Sequence, residues 1–280
     1  MTLHLLILLS CADKAAESAT ACVAGEAPTA YQVERSFDPD PPIAGEEARW
    51  TARFSDQDGC AIQDLQTSHE RIFHTLFISQ DLSQFYHVHP EDEAPVTADE
   101  LRSATWDLPL TFDRAGAYLN VVDYAHRNQW LQSSGMVYVG GTPEQGAPDL
   151  TINTSAEDRG VTGVLRWDIP AKVGFEAGWT LTLSDSAGEV SDLVQWLGAD
   201  GHAAVVPADL SSAAHTHAWS PGIEAMTPTM KMPQVYTGPD LPFHYTFLDA
   251  GMWRMWVQFA RSDAPDEPYV LAFNFEVSEF

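Results

Sequence analysis

Positive charge is scarce in this sequence: 14 Lys and Arg stand against 40 Asp and Glu in 280 residues, a net charge of −26. A field of that sign repels phosphate backbones and anionic headgroups, which excludes nucleic acid as a partner. Long apolar runs are missing as well. The longest, Leu3 to Leu9, falls far short of the roughly 20 residues that cross a bilayer as a helix. The sequence has no Gly-rich phosphate loop, no Gly-x-Ser-x-Gly elbow and no His-Glu-x-x-His pair, so no enzymatic activity is expected. No stretch offers three capped helical turns. What is present is apolar: 45% hydrophobic and 11% aromatic residues can fill a core, and this excludes disorder for the bulk of the chain.

Cysteine is limited to Cys11, Cys22 and Cys60. The segment Leu8-Leu9-Ser10-Cys11 resembles the lipobox of bacterial lipoproteins, which implies a signal over residues 1–11 and a lipid on Cys11. Cys22 and Cys60 are then the one pair that could bridge in an oxidising compartment. Residues 12–30 are rich in Ala, Ser, Thr, Glu and Gly, the composition of a flexible tether. The expected location is the bacterial cell envelope, periplasm or outer surface, with membrane contact only through the lipid.

The chain repeats itself. His74-x6-Asp81-Leu82-Ser83-x3-His87-x-His89 recurs as His202-x6-Asp209-Leu210-Ser211-x3-His215-x-His217, an offset of 202 − 74 = 128. Phe112-x2-Ala115-Gly116-x-Tyr118 recurs as Phe247-x2-Ala250-Gly251-x-Trp253, an offset of 247 − 112 = 135. The second copy therefore carries 135 − 128 = 7 extra residues between the two blocks.

Each copy reads as β structure. Arg49 to Phe54, Ile72 to Ile78, Ala117 to Tyr124, Met136 to Val139, Trp179 to Leu183, Trp253 to Phe259 and Val270 to Val277 are short and rich in β-branched and aromatic residues. Turn sequences such as Asp56-Gln57-Asp58-Gly59 and Ser186-Ala187-Gly188-Glu189 separate the strands. The first of these lacks the later glutamate of a calcium loop and reads as a hairpin turn. The expectation is an all-β chain of two tandem immunoglobulin-like antiparallel β-sandwich domains, residues 31–141 and 149–280, joined by a linker at 142–148.

His87-x-His89 and His215-x-His217 are i, i+2 pairs, so on an extended strand both rings project from one face. A hairpin at Asp81-Leu82-Ser83 would return the strand beside the one that begins near His74, offering a third imidazole; His202 is its counterpart. Asp123, on a later strand, is a candidate anionic ligand that becomes Gln258 in the second copy. Framework histidines inherited by duplication are the alternative. Met226, Met230 and Met232 lie in the extra segment, in a proline-rich stretch with little else apolar. Thioether and imidazole together favour copper over a hard cation, with thioethers selecting Cu(I); core filling or an adaptable contact surface is the other reading of these methionines.

Phe73-His74-Thr75-Leu76-Phe77-Ile78, with Asp81-Leu82, His87-Val88-His89-Pro90 and Ala115-Gly116-x-Tyr118, resembles the exported YtkA-like domains. These are immunoglobulin-like relatives of the CopC-like periplasmic copper proteins. The resemblance implies a metal-handling role for His74, His87 and His89, with an envelope transporter or chaperone as partner. The second copy departs from the pattern, with Ala218 in place of the proline and Ala204 and Val206 replacing Leu76 and Ile78. It is therefore expected to be the weaker site, or to depend on its methionines. The resulting expectation is a lipid-anchored copper protein, holding Cu(I) or Cu(II) for sequestration or delivery. The competing expectation is a structural or adhesive surface module that binds a protein or glycan without metal, through aromatic residues near Trp130 or Trp219.

Overall fold

The computed structural model describes residues 28–218, 227, 229–230 and 236–279. Cys11, Cys22, residues 12–27 of the tether, Met226, Met232 and Trp219 lie outside the described residues. Cys60 is disulfide-bonded. No helix among the described residues is long and apolar enough to cross a membrane.

The first half contributes seven strands: β1 (Tyr31–Asp38), β2 (Glu47–Asp56), β3 (Phe73–Ser79), β4 (Phe85–Val88), β5 (Thr105–Thr111), β6 (Gly116–His126) and β7 (Gln129–Val139). They form two antiparallel sheets, ordered β1-β2-β5 and β4-β3-β6-β7. The second half continues with β8 (Ser155–Asp158), β9 (Val161–Ile169), β10 (Glu176–Asp185), β11 (Gly188–Glu189), β12 (Leu193–Val194), β13 (His202–Pro207), β14 (Ala214–His217), β15 (Asp240–Thr246), β16 (Gly251–Arg261) and β17 (Ala264–Val277). One of its sheets runs β11-β10-β9-β8 with β15 also paired to β10, and the other runs β14-β13-β16 with β17 and β12 also paired to β16. The architecture is all-β, two antiparallel sandwiches in tandem.

Period-two burial explains the strands. Along β2, Ala48, Trp50, Ala52 and Phe54 are buried, while the residues between them are mostly exposed or half-buried, so one face meets the core and the other faces water. The Asp56 turn closes as a hairpin, its Oδ1 accepting from the backbone N–H of Asp58 and of Cys60, both at 2.9 Å. One short helix, α1 (Ala98–Ser103), departs from the all-strand expectation. Its capping box, Thr97 with Glu100, holds fewer turns than periodicity can reveal. The stretch expected to be a linker instead lies along the first sandwich: Ala115 N–H donates to Pro143 O, Gln145 N–H to Ala115 O and Gly146 N–H to Asp81 Oδ2.

Strand β3 is buried at every position, an unusual pattern for a two-sheet sandwich. Phe73 and Phe77 enter the first core, whereas Leu76 and Ile78 point the other way, into an apolar cluster shared with Ala204, Val206, Leu210 and Trp256 of the second half. The β3 sheet and the β13 sheet thus pack face to face, a third buried layer between two sandwiches. Volume is traded across this layer. Where the first copy has Phe85, Leu76, Ile78 and Val121, the second has Ala213, Ala204, Val206 and Trp256, and Phe85 stacks on Trp256 with centroids 5.1 Å apart. The substitutions that made the second copy look degraded are thereby a packing match, large against small.

Candidate metal centre

The face that carries Leu76 and Ile78 also carries His74, because alternate residues of a strand share a side. Leu76 pairs with His87 across the hairpin, which brings His87 and His89 to the same face. In the second copy His202 pairs with His217 and Ala204 with His215. Both hairpins turn at a left-handed residue, Leu82 (φ 59°) and Leu210 (φ 57°). The turn aspartate holds each turn: Asp81 Oδ1 accepts from Ser83 N–H at 3.0 Å, and Asp209 Oδ1 from Ser211 N–H at 2.9 Å.

The three imidazoles of the first copy converge. His74 Nδ1 lies 3.1 Å from His87 Nε2 and 3.0 Å from His89 Nε2, and the last two atoms are 3.0 Å apart. The opposite nitrogen of each ring is anchored: His74 Nε2 donates to Ser68 O at 3.1 Å, His87 Nδ1 to Gln258 Oε1 at 2.7 Å and His89 Nδ1 to Asp92 Oδ2 at 2.9 Å. Each of those partners is an acceptor, so each ring proton points outward and each lone pair points inward. Three lone pairs facing one another at this distance repel unless a cation stands among them. The three nitrogens are close enough together that a single ion could be bound by all of them at ~2.0–2.1 Å.

The second copy gathers its three rings at similar centroid distances. Ring centroids are 5.3, 4.7 and 4.7 Å apart for His202–His215, His202–His217 and His215–His217, against 5.3, 4.7 and 4.5 Å for His74–His87, His74–His89 and His87–His89. His202 Nδ1 is 3.1 Å from His215 Nε2, and His202 Nε2 donates to Trp196 O at 2.8 Å. His217 Nε2 is buried with no hydrogen-bond partner. By ring centroid this triad is gathered like the first, while among its nitrogens only His202 Nδ1 and His215 Nε2 are in contact.

Two polar side chains cross between the copies, Gln258 as a hydrogen-bonded anchor and Asp123 as a nearby carboxylate whose Oδ2 makes no hydrogen bond. Gln258 of the second sandwich holds His87 of the first, and Asp123 of the first lies 3.4 Å from Nδ1 of His215 in the second. Asp123 and Gln258 occupy the same repeat position, paired in their sheets with His74 and His202 respectively. Each side chain thus crosses the interface to its neighbour's histidine. Asp123, expected as a ligand, falls outside both three-histidine clusters; its Oδ1 accepts from Gln132 at 2.8 Å. The two triads are close neighbours, with the His87–His215 and His74–His215 centroids at 4.9 and 5.2 Å.

Burial dominates the electrostatics. It depresses the pKa of His74, His87, His202 and His217 well below the usual imidazole value, with the neighbouring imidazoles adding to the effect. His89 is lowered by the same burial, against the opposing pull of Asp92. These rings are therefore neutral and carry free lone pairs at neutral pH.

Two further histidines divide the possible roles. His126 is a framework residue, its Nε2 2.8 Å from Asp64 Oδ1 and its Nδ1 3.0 Å from the Tyr31 hydroxyl. His69 was not singled out by the repeat, since position 69 + 128 = 197 is Leu197. Its ring nevertheless stacks on His217 at 3.8 Å, and burial lowers its pKa to about 3. Met230 is 43% exposed and Trp130 47% exposed; Trp130 stacks on His69 with centroids 5.6 Å apart.

A family model described as a domain of unknown function, DUF8832, matches residues 28–140 and 156–279. The chain belongs to the DUF8832 family. The two matched stretches follow the two sandwiches, so the family's unit corresponds to the structural repeat. No curated protein matches this DUF8832 chain. Among solved structures, it is similar to carbohydrate-binding modules of the β-sandwich superfamily, at 12% identity and TM-score 0.25, covering 91% of this chain and 94% of that one. It is also similar to the α-2-macroglobulin of E. coli, at 8% identity and TM-score 0.26, covering 90% of this chain and 16% of the other. Invasin, a bacterial integrin-binding protein, follows at 10% identity and TM-score 0.23, covering 88% and 40%.

Proposed function

We propose that this DUF8832 chain is an exported copper-binding protein, lipid-anchored at the cell envelope, whose two three-histidine clusters each hold one ion for sequestration or delivery. The observation that carries the reading is the inward convergence of three lone pairs in the first triad, fixed by outward anchors on Ser68, Gln258 and Asp92. A framework cluster would pair its nitrogens with protons and acceptors, as His126 does.

The donor chemistry selects the ion. All-imidazole sets suit Cu, Zn, Ni and Fe, and hard Ca and Mg prefer oxygen. Copper stands highest in divalent affinity for nitrogen donors. The clusters contain no anionic donor of their own, and the nearest carboxylates, Asp92 and Asp123, stand behind the rings, so the lower charge of Cu(I) is the easier one to bury. The surface thioether of Met230, with Met226 and Met232 in the same segment, would serve as a Cu(I)-preferring arm. The resemblance to YtkA-like and CopC-like domains supports the same reading, with an envelope transporter or chaperone as the recipient.

Metal content of the purified, untagged chain after equilibration with Cu(I), Cu(II) or Zn(II) tests this. Two copper ions per chain are expected, and one in the His87→Ala/His89→Ala variant. Copper stoichiometry unchanged in that variant, or no retained metal in the native chain, would overturn the proposal.

A further inference from the structure

A cavity of about 430 Å³ opens beside the two triads, and its walls treat them unequally. His215 and His217 of the second triad line it, together with His74, Asp123, His69 and Trp130; among the described residues, His87 and His89 do not. Neither does His202, so the cavity meets one ring of the first triad and two of the second. Trp196 packs against both triads, on His87 and His89 at 5.6 and 6.3 Å and on His202 at 5.2 Å.

The inequality has a source in the repeat. Residues Ser68 to Arg71 and Trp196 to Ala199 form equivalent tight turns, closed by Ser68 N–H to Arg71 O and Trp196 N–H to Ala199 O. Each turn supplies the carbonyl that anchors its own copy's first histidine. The next residue is left-handed in both, His69 at φ 47° and Leu197 at φ 52°. The backbone is thus the same while the side chain differs, an imidazole in one copy and an isobutyl group in the other. His69 reaches across the interface to the second triad, stacked on His217 and edge-on to His202 at 5.8 Å. It is only 5% exposed, yet its Nδ1 has no hydrogen-bond partner. A buried polar atom left unpaired is costly and calls for a ligand that would satisfy it.

We propose that the second triad holds its ion with one coordination position open to this cavity, where a small monodentate anion or its conjugate acid, of the hydroxide, azide or hydroperoxide class, binds the metal and hydrogen-bonds to His69. This rests on the metal-binding reading above and adds an asymmetry to it: the second site presents two rings and His69 to the cavity and the first presents only His74, so the second is the one that exchanges ligands. An open position is what separates reactive from purely structural metal sites. The stacking face of His69 lies against His217, so His69 acts on the bound anion rather than as a further ligand of the ion.

Azide titration of the full chain loaded with Cu(II) tests the assignment by absorption and electron paramagnetic resonance. The expected result is an azide-to-copper charge-transfer band that saturates at one azide per two coppers. His69→Leu installs the residue that the other copy tolerates at this φ. It should keep both coppers while weakening azide binding at least tenfold. Two bound copper ions with no azide response, or with two azides per chain, would overturn the open-site asymmetry while leaving metal binding intact. Unchanged azide affinity in His69→Leu would overturn the role given to His69. A chain that retains no copper at all would overturn this inference and the metal-binding reading together.

Discussion

Gln258 sits in the second sandwich and anchors a histidine of the first, so its loss is a sensitive probe of that crossing contact. Its side chain is 6% exposed and its Oε1 accepts from His87 Nδ1 at 2.7 Å. Gln258→Leu keeps the approximate volume and removes the acceptor, leaving a buried imidazole N–H without a partner. That costs about 1–3 kcal/mol. At ~2–4 °C per kcal/mol for a folded unit of this size, the metal-free chain should melt roughly 2–12 °C lower. The ligand effect is separate. Removing an outer partner that orients a metal-bound imidazole lowers metal affinity about 10–100-fold. A copper titration against a chromophoric chelator should therefore show one ion weakened by that factor and the other unchanged. The weakened ion belongs to the triad of the opposite sandwich. Equal binding of both ions in the variant, or equal weakening of both, would refute the crossing-anchor account.

Acidification should destabilise the metal-free protein from pH ~6.5 downward. The histidines at positions 69, 74, 87, 89, 202 and 217 have folded pKa values below the ordinary value, so below about 6.5 the unfolded chain binds protons that the folded chain does not. Each such group contributes a loss of ~1.4 kcal/mol per pH unit, and two of the six acting together give ~3 kcal/mol; for His69 the loss continues to about pH 3. A melting temperature that stays flat between about pH 7 and 5.5 would mean the rings are solvated. Leu76→Ala, at a fully buried interface position, should cost ~2–5 kcal/mol and lower the affinity of both copper ions, since the layer that aligns both triads loosens. His126→Ala should lower stability by about 1–3 kcal/mol through its two lost partners and leave copper stoichiometry unchanged, as calorimetry and metal analysis would record. A lost copper ion in that variant would place His126 in the metal centre.

The strands and the duplication were legible because they depend on local pattern. Trp50, Ala52 and Phe54 alternate inward along β2, and the His-x-His pairs recur at a constant offset. The face shared by His74, His87 and His89 follows from strand periodicity plus a hairpin turn marked by Asp81. Asp123 was harder to place. Its spacing puts it beside His74 in the sheet, but its carboxylate crosses to another sandwich, and no interval along the chain encodes that direction. His69 was invisible to a repeat comparison because the conserved feature is a left-handed turn, which His69 and Leu197 adopt alike.

The sequence by itself determined the all-β class, the two-copy organisation and the membership of each triad, because each depends on contacts within a hairpin or on side-chain alternation. Only the tertiary structure decided that the two copies meet along their histidine faces. That meeting depends on volumes matched across distant positions, Phe85 and Leu76 against Trp256 and Ala204, and such complementarity becomes visible only when both sheets are brought together. The same contact places Gln258, Asp123 and His69 on the opposite copy's histidines, and so distinguishes two triads whose sequences look alike.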